Sequence, residues 1–316
     1  MKRSVFDVLR RGLDNAIANW QLLLLRIGEA FLFGIIIVIA ILAAIVPILL
    51  SIGVKLADFQ VPETAEGALT ALLSRWPIFA WIFGGAVLLA LLFMVVHSFL
   101  EAGCARVYVD GDRIAGAALA GPRSRYRVFS MAKWWAGAVD GWWPVFWIYN
   151  IAWGIAALFF LVPLLFTSLL VLALAMNDSA GPAIGIGCVG AAASFMIMIP
   201  TMIVAGIWSN RAIASWAVRR GGARDTTRAA WAAFKADMGR HLLVAIALFV
   251  ISMAGSMFIG SFGFFIGFAE VLGRHSGSTA LMMMPARFFI QMLSTAFSTV
   301  IAGWFLATFC AMANEG

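Results

Sequence analysis

His97 and Glu101 stand four residues apart at the end of an apolar run, so a helix would carry both on one face. That is the spacing an acid/base pair acting on a lipid headgroup would use. Arg26 and Glu29 stand three apart early in another apolar run and can pair along their own helix. Asn150, Asn210 and Arg211 complete a polar set expected near one membrane face. Charged groups at membrane depth are costly and usually meet a partner or water. The set therefore reads either as a vestibule for a headgroup or solute, or as interfacial anchoring with structural pairing. Anchoring needs less, because long side chains reach water from below the interface.

Other motifs point to chemistry and then fail on context. Gly185 to Gly190 matches G-x-G-x-x-G, but it opens an apolar span with no strand before it and no acid until Asp225. Asp110-Gly111-Asp112-Arg113 shares the opening of the CDP-alcohol phosphotransferase motif. Ile114-Ala115 then stand where Ala-Arg is required, and the later aspartates are missing; a turn in a loop is the expectation. Met282 to Met284, with Met253 and Met257, could bind a soft metal, though adaptable packing explains them with less. There is no HExxH, GxSxG or P-loop, and three Cys with three His leave little for a metal centre. No cofactor and no disulfide framework are expected.

The elements that position these residues are set by composition. The 316-residue chain is 63% hydrophobic and 12% charged, with a mean hydropathy of +0.98. A soluble domain carries about twice that charge. A water-soluble enzyme, a secreted disulfide scaffold and a disordered chain are excluded. Six apolar runs are long enough to cross a bilayer core of about 30 Å: about 21–54, 78–100, within 143–176, 184–208, 242–268 and 287–312. The first and third are overlong and are expected to tilt, or to bend at Pro47 and Pro163.

Eighteen of the Lys and Arg residues fall before span one and after spans two and four, and four fall on the opposite side. This places both termini in the cytoplasm. The net charge of +7 is thus a topology signal, and no nucleic-acid partner is expected. Arg outnumbers Lys 18 to 4, which hints at a GC-rich bacterial genome and hence a plasma membrane. The apolar run from Gln21 is too long for a signal-peptide core, so span one is expected to stay uncleaved.

The pattern repeats over about 4–111, 122–221 and 225–316. Each unit has a basic amphipathic segment, a span, an outer loop, a second span and a polar exit ending in Gly111, Gly221 or Gly316. In the first segment Phe6, Leu9, Leu13, Ile17 and Trp20 form a stripe with Arg10, Arg11 and Asp14 off it, and Ser4 with Asp7 can start the helix. The second begins near Pro122, with Arg123, Arg125, Arg127 and Lys133 beside Trp134 and Trp135. Asp225 is the expected N-cap of the third. Aligning the exits puts Glu101 at the position of Arg211, which suggests an ion pair between units. The fold expected is all-α: six transmembrane helices in three hairpins, each preceded by a basic interfacial helix. Gly181, Gly185, Ser256, Gly260, Gly263 and Gly267 are the candidates for close helix packing.

The junctions NWQLLLL, GWWPVFW and GRHLLVA, with the basic helices before them, resemble the six-span membrane domain attached to some glycerophosphodiester phosphodiesterases. In that family the hydrolase chemistry lies in a separate soluble domain. The resemblance implies a membrane module and transfers no catalytic residue. The leading functional expectation is a non-enzymatic scaffold or accessory subunit that contacts anionic lipid or a protein partner, or forms a homo-oligomer. A transporter or channel is the alternative. A lipid-modifying enzyme using His97 and Glu101 is the third.

Overall fold

The computed structural model describes residues 3–52, 76–116, 122–175, 180–272 and 278–315. Among them there is no strand. The α-helices are α1 (Val5–Ala18), α2 (Gln21–Ile52), α3 (Trp76–Ala115), α4 (Met131–Ala175), α5 (Ala180–Arg219), α6 (Ala223–Ala236), α7 (Met238–Leu272) and α8 (Ser278–Ala313), with a 3-10 turn at Arg123–Tyr126. Six of them, α2 to α5 with α7 and α8, are long and apolar enough to cross a membrane. The chain is a multi-pass membrane protein. Lys55, Arg75 and Arg274 lie outside the described residues.

Helix length sets where packing can occur. At 1.5 Å per residue the 45 residues of α4 span about 68 Å, more than twice the hydrocarbon core. Each long helix therefore has turns to spare beyond the core. The turns that pack lie at the end of the chain's bundle where Arg3 meets the Ala311 carbonyl and both termini come together, called the basal end below. Buried residues concentrate there: 98–112 of α3, 205–217 of α5 and 306–313 of α8. Farther along the spans the apolar side chains are mostly exposed, as they are where lipid is the solvent.

The chain divides into two compact units. Residues Leu25–His97 form one, from most of α2 and the outer part of α3. Within it Phe33 meets Phe93 edge to face at 4.7 Å, and an apolar cavity of about 490 Å³ is lined by Ile37, Ile41, Trp81 and Leu89. The other unit, Met1–Leu24 with Ser98–Gly316, holds the remaining elements and the basal core.

Local signals explain the short helices. Ser4 and Asp7 form the expected capping box at the start of α1. α1 packs through the face that carries Arg11 and Asn15. Val8, Arg11, Gly12, Asn15 and Ala16 are buried, whereas Phe6 (74% exposed), Ile17 and Trp20 face outward. The helix packs through its polar side because Gly12 lies against α8: a Cβ there would sit 2.8 Å from the Cα of Thr308. In α6, Gly222 is the N-cap in place of Asp225, which falls in the first turn where its charge still complements the helix N-terminus. The second expected interfacial helix is no separate element among the described residues. No left-handed cap interrupts the sequence after Met131, so the helix runs unbroken into the span, and through Pro144 and Pro163.

Candidate functional site

The polar groups of the basal end fall into three clusters, and the first is centred on Asp112. Its carboxylate accepts from Arg11 Nε at 2.8 Å, from Arg3 Nη1 at 3.3 Å and from Asn314 Nδ2 at 3.1 Å. The Arg11 guanidinium, almost fully buried, also donates to the carbonyls of Asp112 (3.2 Å) and Gly116 (2.8 Å) and lies over the Tyr126 ring. It thereby caps the C-terminus of α3, which ends because Gly116 takes a left-handed φ of +68°. One turn on, Asn15 Nδ2 donates to the Tyr108 carbonyl at 2.7 Å. Asn19 Nδ2 donates to the Tyr126 carbonyl at 2.8 Å, while its Oδ1 accepts from the amides of Val128 and Phe129. A single helix face, residues 11, 15 and 19, thus ties together α3, the 3-10 turn and, through Asp112, α8. The D-G-D-R segment expected as a loop turn is helical, with Gly111 and Asp112 buried and Arg113 exposed.

In the second cluster, Arg240 holds Glu315 through two bonds of 2.6 and 2.7 Å. His241 Nδ1 donates to the Asp237 carbonyl at 2.8 Å, which leaves Nε2 as the ring's lone-pair nitrogen. That atom, and Arg211 Nε and Nη1 nearby, are buried without hydrogen-bond partners. The carboxylate whose field acts most on Arg211 is Glu315. Arg211 forms no ion pair among the described residues, so the pairing expected with Glu101 is not made. The alignment matched two positions in sequence, but the C-terminal residues supply the local acid.

The third cluster is a cleft of about 570 Å³ lined by Arg106, Asp110, Lys133, Trp135, Asp140 and Arg220. Arg106 Nη1 donates to the Ala217 carbonyl at 2.8 Å, capping α5. Arg106–Asp110 and Arg220–Asp140 approach at only 3.9 and 3.6 Å.

The residues singled out from the sequence are each placed within their own unit. Glu29 accepts from His97 at 3.0 Å, and Phe93 stacks on that imidazole, within the unit Leu25–His97. The partner expected for Glu29 had been Arg26, which is itself buried. Glu101 is buried on α3. Asn150 and Asn210 each donate to a carbonyl one turn back on their own helix, those of Phe146 and Gly206. The packing candidates are corrected too. A Cβ at Gly181, Gly185, Gly260, Gly263 or Gly267 would meet nothing, and Ser256 is exposed. Within the glycine run of α5, Gly190, also a candidate from the sequence, does lie close against Thr167, and in α7 the close approach is at Gly255 against Phe297. Small residues permit contact, but only a facing side chain of matched shape produces it.

The signal for Arg11, Asn15 and Asn19 was present as a polar i, i+4 stripe; Asp112 and Asn314 gave none, because their partners lie 101 and 202 residues away. No metal-holding group of His, Cys, Asp and Glu occurs among the described residues. Comparison with known proteins gave no match to a protein family, to a curated sequence or to a solved structure.

Proposed function

We propose that this chain is a non-enzymatic membrane module, a scaffold or accessory subunit that contacts anionic lipid or a protein partner from a fixed cytoplasmic platform. The observation that carries this reading is the mounting of α1, which turns Arg11 and two asparagines inward to structural partners and leaves Phe6, Ile17 and Trp20 exposed. Buried charges used in this way are not free to turn over a substrate, whereas Phe6, Ile17 and Trp20 form a surface for acyl chains or a partner helix.

On this reading the six spans are three hairpins, each preceded by an interfacial segment, with both termini in the cytoplasm of a plasma membrane. Two matching clamps support the repeat. Trp304 Nε1 of α8 donates to the Leu9 carbonyl of α1 at 2.7 Å, and Trp208 Nε1 of α5 donates to the Thr227 carbonyl of α6 at 2.9 Å. At the remaining junction Gly103 of α3 lies against Trp134 of α4. In each case an even span grips the segment leading into an odd one, as parallel repeats about a membrane normal would. The resemblance to the membrane domain of some glycerophosphodiester phosphodiesterases belongs to the same proposal.

Native mass spectrometry of the protein released gently from its own membrane tests it. Retained phospholipid or a second polypeptide is the expected result. A bare monomer overturns the scaffold reading.

A further inference from the structure

We infer that the cleft between the basal ends of α3, α4 and α5 is a binding site for the phosphodiester headgroup of an anionic phospholipid, held by Lys133, Arg220 and Arg106. The inference rests on the module reading above and assigns that reading a site.

Charge selects the headgroup. The cleft holds three cations and two carboxylates, a net charge of +1, which one phosphodiester monoanion neutralises. Neither internal pair closes to hydrogen-bond distance, at 3.9 and 3.6 Å, so the guanidinium forks of Arg106 and Arg220 keep donors for an incoming oxygen anion. Lys133 forms no ion pair among the described residues.

Backbone geometry gives independent support. Arg220 has a φ of +54°, the one left-handed non-glycine position among the described residues. Its amide closes α5 onto the Trp216 carbonyl at 2.7 Å, at a cap where glycine is the usual residue, and Gly221 and Gly222 follow immediately. A side chain is thus carried at a strained position with two glycines beside it, and that strain places a cation on the cleft wall.

The lining favours a lipid over a soluble phosphate. Trp135, Val139, Trp143 and Trp147 recur every fourth residue on α4 and are all exposed. They form an apolar track of about 18 Å leading from the cleft into the span, long enough to seat an acyl chain whose headgroup occupies the charged end.

The full chain is reconstituted in nanodiscs of mixed phosphatidylglycerol, phosphatidylethanolamine and phosphatidylcholine, and retained lipid is read by native mass spectrometry. The variants are Arg220→Gly, which removes the cation and relaxes the cap, and Lys133→Gln. The wild type is expected to retain phosphatidylglycerol over both other lipids. Each substitution is expected to lower that retention about fivefold, and Arg220→Gly to melt no lower than wild type. In a parallel arm, inorganic phosphate is titrated onto detergent-solubilised protein. Binding there that is lost in the variants, without lipid selectivity, keeps the phosphate site and assigns it to a soluble ligand. Undiminished phosphatidylglycerol retention in both variants overturns the site while leaving the module reading intact. No lipid preference in the wild type, with no phosphate binding, also overturns the site, and the module reading then rests on a protein partner alone.

Discussion

The helices α1 and α6 have the same length of 14 residues, both lead into an odd span and both are gripped by a tryptophan indole, yet they are mounted in opposite senses. α6 buries Ala230 and Phe234, with Thr226 and Thr227 bonded back to the Gly222 and Ala223 carbonyls, and leaves Arg224, Arg228 and Lys235 exposed. α1, with the two residues that follow it, buries Arg11, Asn15 and Asn19 and leaves Phe6, Ile17 and Trp20 exposed. The difference lies in what waits on the far side. α1 meets the carboxylate of Asp112 and the open carbonyls at the end of α3, which only donors can satisfy. α6 meets Trp208 and the His241 ring through Trp231 and Phe234. An amphipathic helix is thus oriented by the partners its polar face finds, and its apolar stripe is left to whatever covers it.

The contrast can be broken at several points. The largest effect is expected for Asp112→Ala, which strands the buried Arg11; loss of one partner of such a pair costs about 3–5 kcal/mol. Asp225→Ala on exposed α6 should stay within about 0.5 kcal/mol. Thermal melting of the two variants in the same nanodisc checks both. Next, Gly12→Ala should cost about 1–3 kcal/mol, because the new methyl group meets the backbone of α8 at Thr308. Gly239→Ala, at the start of α7 with open space around it, should be neutral or stabilising in the same assay. The clamps sharpen the comparison: Trp304→Phe and Trp208→Phe should each cost about 1 kcal/mol and add in the double variant, as equivalent, separate hydrogen bonds do. Unequal or strongly coupled losses would break the equivalence of the two junctions. The smallest effect is expected for Arg228→Gln, which should leave melting unchanged and weaken binding to anionic vesicles about fivefold.

Composition made the spans legible, because a run of twenty apolar residues has few other uses in a chain this poor in charge. The capping box at Ser4 and Asp7 was legible for a local reason, since both halves of the motif lie within four residues. The sense of α1 was not. An amphipathic stripe shows that a helix has two faces, and in a membrane the apolar face can point to lipid as readily as to a core. Asp112 was misread because Asp-Gly-Asp carries turn chemistry locally, while the arginine that keeps it helical stands 101 residues earlier. Asn150 and Asn210 were singled out by depth alone, and their bonds to Phe146 and Gly206 show that a helix can engage an amide within itself. The cleft was invisible for a third reason: Arg106 and Lys133 stand on different helices and Arg220 just past the end of another, so no local spacing joins them.

The most direct measurement is nitroxide accessibility in a lipid bilayer. Single cysteines would replace Phe6, Ile17 and Arg228 in a chain whose exposed Cys188 is changed to Ser, while Cys104 and Cys310 are buried. The expected result is collision dominated by oxygen, the lipid-soluble relaxer, at positions 6 and 17, and by the water-soluble nickel chelate at position 228. Water-dominated collision at positions 6 and 17 would contradict a module that presents α1 to the membrane.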